Sequence, residues 1–201
     1  MPDRLLPDQP GLARAVELLR EGELVAFPTD TVYGIGCRIG DPEALARLFA
    51  AKGRPPEKAV PWLVGSLGDV TGLGFLGGEQ AVRLADQFWP GALTLVLPSI
   101  DGSATQAFRV PDHEVTLRLL RQAGPLVVSS ANRSGEPETL DADDVAIAFA
   151  GSDEPAATVD GGRVPGGVAS SVVDLARPRP RLVREGALPR AEIERVIGPI
   201  D

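Results

Sequence analysis

The stretch Glu23-Leu24-Val25-Ala26-Phe27-Pro28-Thr29-Asp30-Thr31-Val32-Tyr33-Gly34-Ile35-Gly36 (residues 23–36) decides how this chain folds. Its apolar run reads as a buried strand over Glu23 to Pro28. The strand gives way at once to hydroxyls, a carboxylate and two glycines. Upstream, Leu12, Ala15, Val16 and Leu19 recur at helical spacing over Gly11 to Arg20. Gly22 closes that helix, because glycine accepts the left-handed conformation. Helix, buried strand and polar strand end together describe an α/β domain, where ligands gather outside strand ends.

The rest of the chain continues the mixture without strict alternation. Asp41-Pro42 opens a helix to about Ala51, a capping carboxylate followed by proline in the first turn. Gly78 to Phe88, Glu114 to Gln122, Asp141 to Ala150 and Pro189 to Ile197 are predicted helices. Val60 to Val64, Leu93 to Leu97, Leu126 to Ser129, Ala157 to Val159, Ser170 to Leu175 and Arg181 to Arg184 are predicted strands. No repeat, low-complexity tract or linker divides them. The expectation is one α/β domain over residues 1–201, with a twisted mixed sheet flanked by helices and an open cleft, its motif-bearing core spanning about 11–188.

Composition bounds the function. The 201 residues carry 20 Lys and Arg against 28 Asp and Glu, a net charge of -8. Such a chain does not hold nucleic acid by bulk electrostatics, so any polyanion site is a local cluster of cations. One cysteine, Cys37, excludes an intramolecular disulfide and is too few for a cysteine-based metal site. No apolar run approaches the roughly 18 residues needed to span a bilayer. The start of the chain, polar and proline-rich to Pro10, lacks the basic and apolar regions of a secretory signal. The cytoplasm is the expected compartment.

Five polar segments carry candidate chemistry. In 28–36, Thr29 and Thr31 are placed to bond a small polar ligand while the glycines admit backbone approach; a capped turn fits the same residues. Lys52-Gly53-Arg54-Pro55-Pro56-Glu57-Lys58 gathers three cations, suited to a triphosphate, although on local chemistry alone a solvated loop at a helix C-terminus fits better. Arg109 stands in an apolar stretch and needs an anion, from the protein or from a ligand carboxylate. His113, the single histidine, lies beside no nucleophile-elbow serine and reads as structural or helix-capping. Ser129-Ser130-Ala131-Asn132-Arg133-Ser134-Gly135 ends another buried strand, and Asn132 can read a donor-acceptor edge or close a polar turn. Ser170 opens a strand and Arg184 closes one, while Arg163 is a loop cation without an evident role. Neither of the glycine-rich phosphate fingerprints is present.

Taken in order, PTDTVYG at 28–34, KGRPPEK at 52–58, PGALT at 90–94, RVPDH at 109–113, SSANRSG at 129–135, SSVVD at 170–174 and REG at 184–186 resemble the YrdC-like family of threonylcarbamoyl-adenylate synthases. The resemblance implies the family's open-cleft fold, similar to that of the riboflavin-pathway butanone phosphate synthase, in a short single-domain form. It implies that Thr31, Arg109, Ser130 and Ser170 contact L-threonine, with Arg109 on its carboxylate. Arg54, Lys58, Thr105, Asn132 and Arg184 would contact ATP, with Thr139 or Leu140 filling one further position. Lys52, Arg54 and Lys58 would stabilise charge, and no protein nucleophile is required. The implied reactants are ATP, L-threonine and bicarbonate or CO2, with Mg2+ accompanying ATP and no protein metal site. Partner proteins would pass the threonylcarbamoyl group to tRNA, and direct tRNA contact is compatible with this. Two positions depart from the family pattern: Ala59 replaces a proline, and Leu63 stands where some members have histidine. The competing expectations are a YrdC-like RNA-binding or ribosome-associated paralogue without synthase activity, and a carbamoyl-adenylate enzyme that uses carbamoyl phosphate.

Overall fold

The apolar run at 24–27 forms an interior strand of a ten-stranded mixed sheet in the computed structural model, which describes residues 2–53, 59–151, 154–166 and 168–201. The strands are β1 (Asp3–Leu5), β2 (Val25–Phe27), β3 (Gly34–Arg38), β4 (Trp62–Leu63), β5 (Leu93–Pro98), β6 (Thr105–Arg109), β7 (Leu126–Ser130), β8 (Ala157–Val159), β9 (Ser171–Asp174) and β10 (Arg181–Arg184). The helices are α1 (Gln9–Arg20), α2 (Pro42–Lys52), α3 (Leu67–Gly72), α4 (Gly78–Phe88), α5 (Glu114–Ala123), α6 (Ala142–Ala148) and α7 (Arg190–Ile197). The strand order is β1-β8-β2-β3-β7-β4-β6-β5-β9-β10. Pairs β1/β8, β2/β8, β4/β6 and β5/β9 are parallel, the other neighbours antiparallel.

Alternation along the strands distributes the core. On one face of the β2-β3-β7 half, Ala26, Ile35, Cys37 and Val127 pack with Leu48 of α2 and Val145 of α6. On the other, Val25, Phe27, Leu126 and Val128 pack with Leu12 and Leu19 of α1 and Leu119 of α5. In the β6-β5-β9 half, Leu93, Leu95, Leu97, Phe108 and Val173 meet Val70, Leu84 and Ile193 of α3, α4 and α7. Burying each Val, Leu, Ile or Phe among them favours folding by about 1.5–3 kcal/mol. In this half the opposite-facing residues Thr94, Val96, Ala107, Arg109 and Val172 are left lining a cleft.

Helix starts follow the sequence. Asp8, Asp41 and Asp141 each accept a backbone N–H from the first turn of α1, α2 and α6. Ser66 and Asp69 form a reciprocal capping box on α3. Gly22 adopts φ 83° after α1, and Gly53 closes α2 at φ 56°.

Several expectations are corrected. The strand expected over Val60 to Val64 is ladder-paired only at Trp62–Leu63. The sequence pattern predicts neither strands β1, β3 and β6 nor helix α3. β3 and β6 lie inside segments that look like polar loops, and only pairing with β2, β7, β4 and β5 makes them strands. The glycines of 28–36 serve strand packing. A Cβ on Gly36 would stand 2.8 Å from the Val127 carbonyl oxygen and 2.9 Å from Val128 Cγ2, and one on Gly34 2.8 Å from Val128 Cγ1. His113 occupies the N-cap position of α5, yet its side chain makes no capping bond. Its Nδ1 is buried without a hydrogen-bond partner. Arg163 pairs with Asp141 at 2.6 Å, reinforcing the start of α6.

Candidate active site

A cleft of about 420 Å³ opens over the exposed face of β5, β6 and β9 and the ends of β2, β3 and β7. The loop after β2 supplies Thr29 and Thr31, β6 supplies Arg109, β7 supplies Ser129 and Ser130, and the segments around β9 and β10 supply Ser170 and Arg184. The sheet thus brings five strand ends from separate parts of the chain to one cavity.

Arg109 is the buried cation at its centre, 8% exposed. Its Nη2 donates to Asp30 Oδ1 at 2.6 Å, its Nε to the Gly91 carbonyl at 2.9 Å and its Nη1 to Thr31 Oγ1 at 3.2 Å. The anion demanded by a buried guanidinium is therefore Asp30 in this state. Arg184 also lines the cleft and donates through Nε and Nη2 to the Ser170 carbonyl at 3.1 and 2.9 Å. Burial first, and repulsion from Arg109 second, lower the Arg184 guanidinium from its ordinary value, while Glu138 on the cleft wall works the other way. An anion seated between the two guanidiniums would relieve both costs. Ser170 Oγ pairs with Thr94 Oγ1 at 2.8 Å.

The turn after β7 is built around Lys52. Its ammonium, on a side chain only 3% exposed, donates to the Ser130 carbonyl at 2.5 Å, to Ser130 Oγ and Asn132 Oδ1 at 3.2 Å each, and to the Asn132 carbonyl. Asn132 Nδ2 donates to the Glu136 carbonyl at 2.7 Å. Tyr33 locks the same region from behind. Its hydroxyl donates to the Gly162 carbonyl at 2.8 Å and accepts from Gly161 N–H at 3.2 Å, and burial pushes its pKa up to about 12.

Thr31, Arg109, Ser130, Ser170 and Arg184 thus share one cavity wall. Asn132 and Lys52 adjoin it through the turn that carries Ser130. Thr105 is exposed at the start of β6, on the same strand face as Ala107 and Arg109 but beyond the lining residues. Thr139 is 3% exposed with its hydroxyl donated to the Ala131 carbonyl at 3.1 Å, so its side chain faces the protein and not the cleft. Arg54 and Lys58 lie outside the described residues. Sequence reasoning gave no site role to Asp30, Thr94 or Glu138. The alternation Leu93-Thr94-Leu95 marks Thr94 as facing away from the core; nothing local marks the other two.

Comparison with known proteins agrees with this fold. The Sua5/YciO/YrdC family model, described as telomere recombination, matches residues 17–186. A threonylcarbamoyl-AMP synthase of Bacillus subtilis is 41% identical over 211 residues, spanning 98% of this chain and 60% of that protein. The crystal structure of Pyrococcus abyssi Sua5 complexed with L-threonine superimposes with a TM-score of 0.90 at 40% identity, over 100% of this chain and 62% of the other. Escherichia coli YciO superimposes with a TM-score of 0.80 at 25% identity, over 93% of this chain and 96% of its own. The chain spans about three fifths of the length of the Bacillus and Pyrococcus proteins. With a family match across most of its length and the same fold throughout, the chain belongs to the Sua5/YciO/YrdC family.

Proposed function

We propose that the chain is an L-threonylcarbamoyladenylate synthase, a nucleotidyltransferase that forms threonylcarbamoyl-AMP and pyrophosphate from L-threonine, bicarbonate or CO2, and ATP. The observation that carries it is the single cleft lined by both Arg109 and Arg184 together with Thr31, Ser130 and Ser170. Relatives of about 40% identity named threonylcarbamoyl-AMP synthase, and the similar structure that holds L-threonine, support the same reading. They do not favour an RNA-binding paralogue without synthase activity.

In this reading Arg109 takes the threonine carboxylate, and Ser130, Ser170 and Thr31 surround the rest of the amino acid. The amine adds to CO2 to give a carbamate. A carbamate oxygen then attacks the α-phosphorus of ATP, the Pα–O bond to pyrophosphate breaks, and the mixed anhydride threonylcarbamoyl-AMP remains. No side chain forms a covalent bond. The protein holds three anions together against their repulsion, and such positioning supplies about 7–11 kcal/mol of the barrier. Arg184, on the cleft wall, is proposed to contact the nucleotide, with Asn132, Arg54, Lys58, Thr105 and Thr139 proposed on the resemblance alone.

Among the described residues no group of three or more His, Cys, Asp or Glu is placed to hold a metal, and Glu138 is the carboxylate on the described cleft wall. That donor set fits Mg2+ carried by the phosphates of ATP and water, where it would offset phosphate charge. The product would pass to a partner protein that transfers the threonylcarbamoyl group to adenosine of tRNA. Among the described residues no helix is long and apolar enough to cross a membrane, and we propose that the work is done in the cytoplasm.

The test is incubation with ATP, L-threonine and bicarbonate while pyrophosphate and the acyl-adenylate are followed. Pyrophosphate release that depends on threonine is expected; release indifferent to threonine would refute the assignment.

A further inference from the structure

We propose that Asp30 is a positioning residue of the amino-acid subsite: it holds Arg109 as a two-donor fork beside the acceptor oxygen of Thr31. The claim rests on the threonine reading above and assigns that subsite its polarity.

The argument is a count of hydrogen-bonding capacity. A guanidinium has five N–H donors. Arg109 commits Nε–H to Gly91, one Nη1–H to Thr31 and one Nη2–H to Asp30. Two N–H remain, one on each Nη, on a side chain that forms part of the cleft wall. That is the pairing a carboxylate accepts bidentately. Asp30 is not itself among the cleft-lining residues, and its side chain is 15% exposed. It therefore acts through Arg109 and not on the ligand.

Thr31 is constrained by the same set. The Thr29 hydroxyl donates its one proton to the Val32 carbonyl at 2.6 Å. Its two lone pairs accept from the N–H of Thr31 at 3.2 Å and of Val32 at 3.3 Å, so the 3.1 Å contact between the two hydroxyls does not commit the Thr31 proton. Thr31 Oγ1 accepts from Arg109, so the hydroxyl keeps one lone pair for the cleft. Adjacent to a fork for a carboxylate, it suits a donor such as the α-amine or the side-chain hydroxyl of the same substrate. An α-amino acid presents its carboxylate and its amine one carbon apart, in this polarity.

Loss of the Asp30 carboxylate frees Nη2 to rotate and removes the constraint on the fork. The experiment compares the chain with Asp30→Ala and Asp30→Asn in two ways. One is threonine KM, ATP KM and kcat for pyrophosphate release. The other is exchange of the Arg109 Nη protons in 15N-arginine-labelled protein. In Asp30→Ala, threonine KM should rise roughly ten- to hundredfold, the range for a hydrogen bond to a charged group. ATP KM and kcat should stay within about threefold, because the interaction lost is one with threonine alone. The Nη protons should exchange faster. Asp30→Asn keeps an acceptor oxygen and should rescue part of the threonine KM, and it decides the matter if Asp30→Ala does not fold. Unchanged threonine KM, or threonine and ATP KM rising together, would overturn the proposal. If the unaltered chain makes no acyl-adenylate, the synthase reading fails separately. The exchange measurement then decides: protection of the Arg109 Nη protons that survives Asp30→Ala overturns the positioning role, and its loss supports it.

Discussion

Two buried cations, Lys52 at the turn after β7 and Arg109 at the end of β6, have nearly the same exposure but opposite uses. Among the described residues, Lys52 donates to the carbonyls of Ser130 and Asn132 and to their side-chain oxygens. Those contacts hold the turn that follows β7. Arg109 is bonded to one carboxylate, one carbonyl and one hydroxyl, and two of its donors remain for the cleft. An ammonium is a point charge that a turn can wrap, whereas a planar guanidinium is held at one edge while it presents another. A cation in a cleft is thus not a substrate contact by residue type alone; what its neighbours leave unbonded decides.

Changes at the two cations should separate accordingly. The largest effect on the fold is expected from Lys52→Met. The Ser130 and Asn132 carbonyls lose a donor at about 1–3 kcal/mol each. For a domain of this size the melting temperature should fall by roughly 5–20 °C in calorimetry. A melting temperature unchanged within about 2 °C would erase the contrast. Arg109→Ala should leave the fold less affected than the chemistry. Threonine use should fall by about a hundredfold, as for loss of a charge-assisted bidentate pair, with nucleotide affinity little changed. Arg109→Lys should not restore it, because lysine has no fork. Equal losses for threonine and ATP would break the assignment.

Gly186→Ala probes the rim that carries Arg184. A Cβ there would lie 2.1 Å from the Ala169 carbonyl oxygen and 2.6 Å from the Ser170 carbonyl carbon, both rigid backbone. A loss of about 1–3 kcal/mol is expected in urea unfolding, as for overpacking, together with weaker nucleotide binding as Ser170 and Arg184 shift. Tyr33 is the uncharged control. Tyr33→Phe unpairs the Gly162 carbonyl and the Gly161 N–H and should cost about 1–2 kcal/mol. As the single tyrosine in the chain, it should titrate by ultraviolet absorbance near pH 12, above the ordinary value of 10.0. The folded pKa is raised, so this contribution to stability is complete below pH 10 and is lost as pH rises from there through 12. A midpoint near 10 would show that the phenol is not buried.

Much of the frame was legible because local rules were obeyed. Asp41-Pro42 starts α2 and Gly53 ends it, and Gly78–Phe88 is the helix that its pattern predicts. The strands missed were the polar ones. In Thr105-Gln106-Ala107-Phe108-Arg109 the apolar stretch around Arg109 is too short to read as a strand, since one face of β6 is cleft. Gly34-Ile35-Gly36-Cys37 looks like a flexible ligand loop, yet its glycines are set by the close approach of Val127 and Val128. In both places the partner strand, remote in sequence, supplies the order.

The site divides along the same line. The residue types at the strand ends, hydroxyls at 29, 31, 130 and 170 and arginines at 109 and 184, are written in the chain and mark where chemistry is possible. Sequence alone also fixes the acidic balance and the capped helices, because these depend on composition or on residues a few positions apart. Only the tertiary structure decides that Asp30, far from β6 in sequence, is the anion of Arg109, that Lys52 belongs to the Ser130–Asn132 turn, and that the Thr139 side chain faces inward. Hydrogen-bonding capacity is a property of contacts between remote segments, and it has no value until the sheet has paired them.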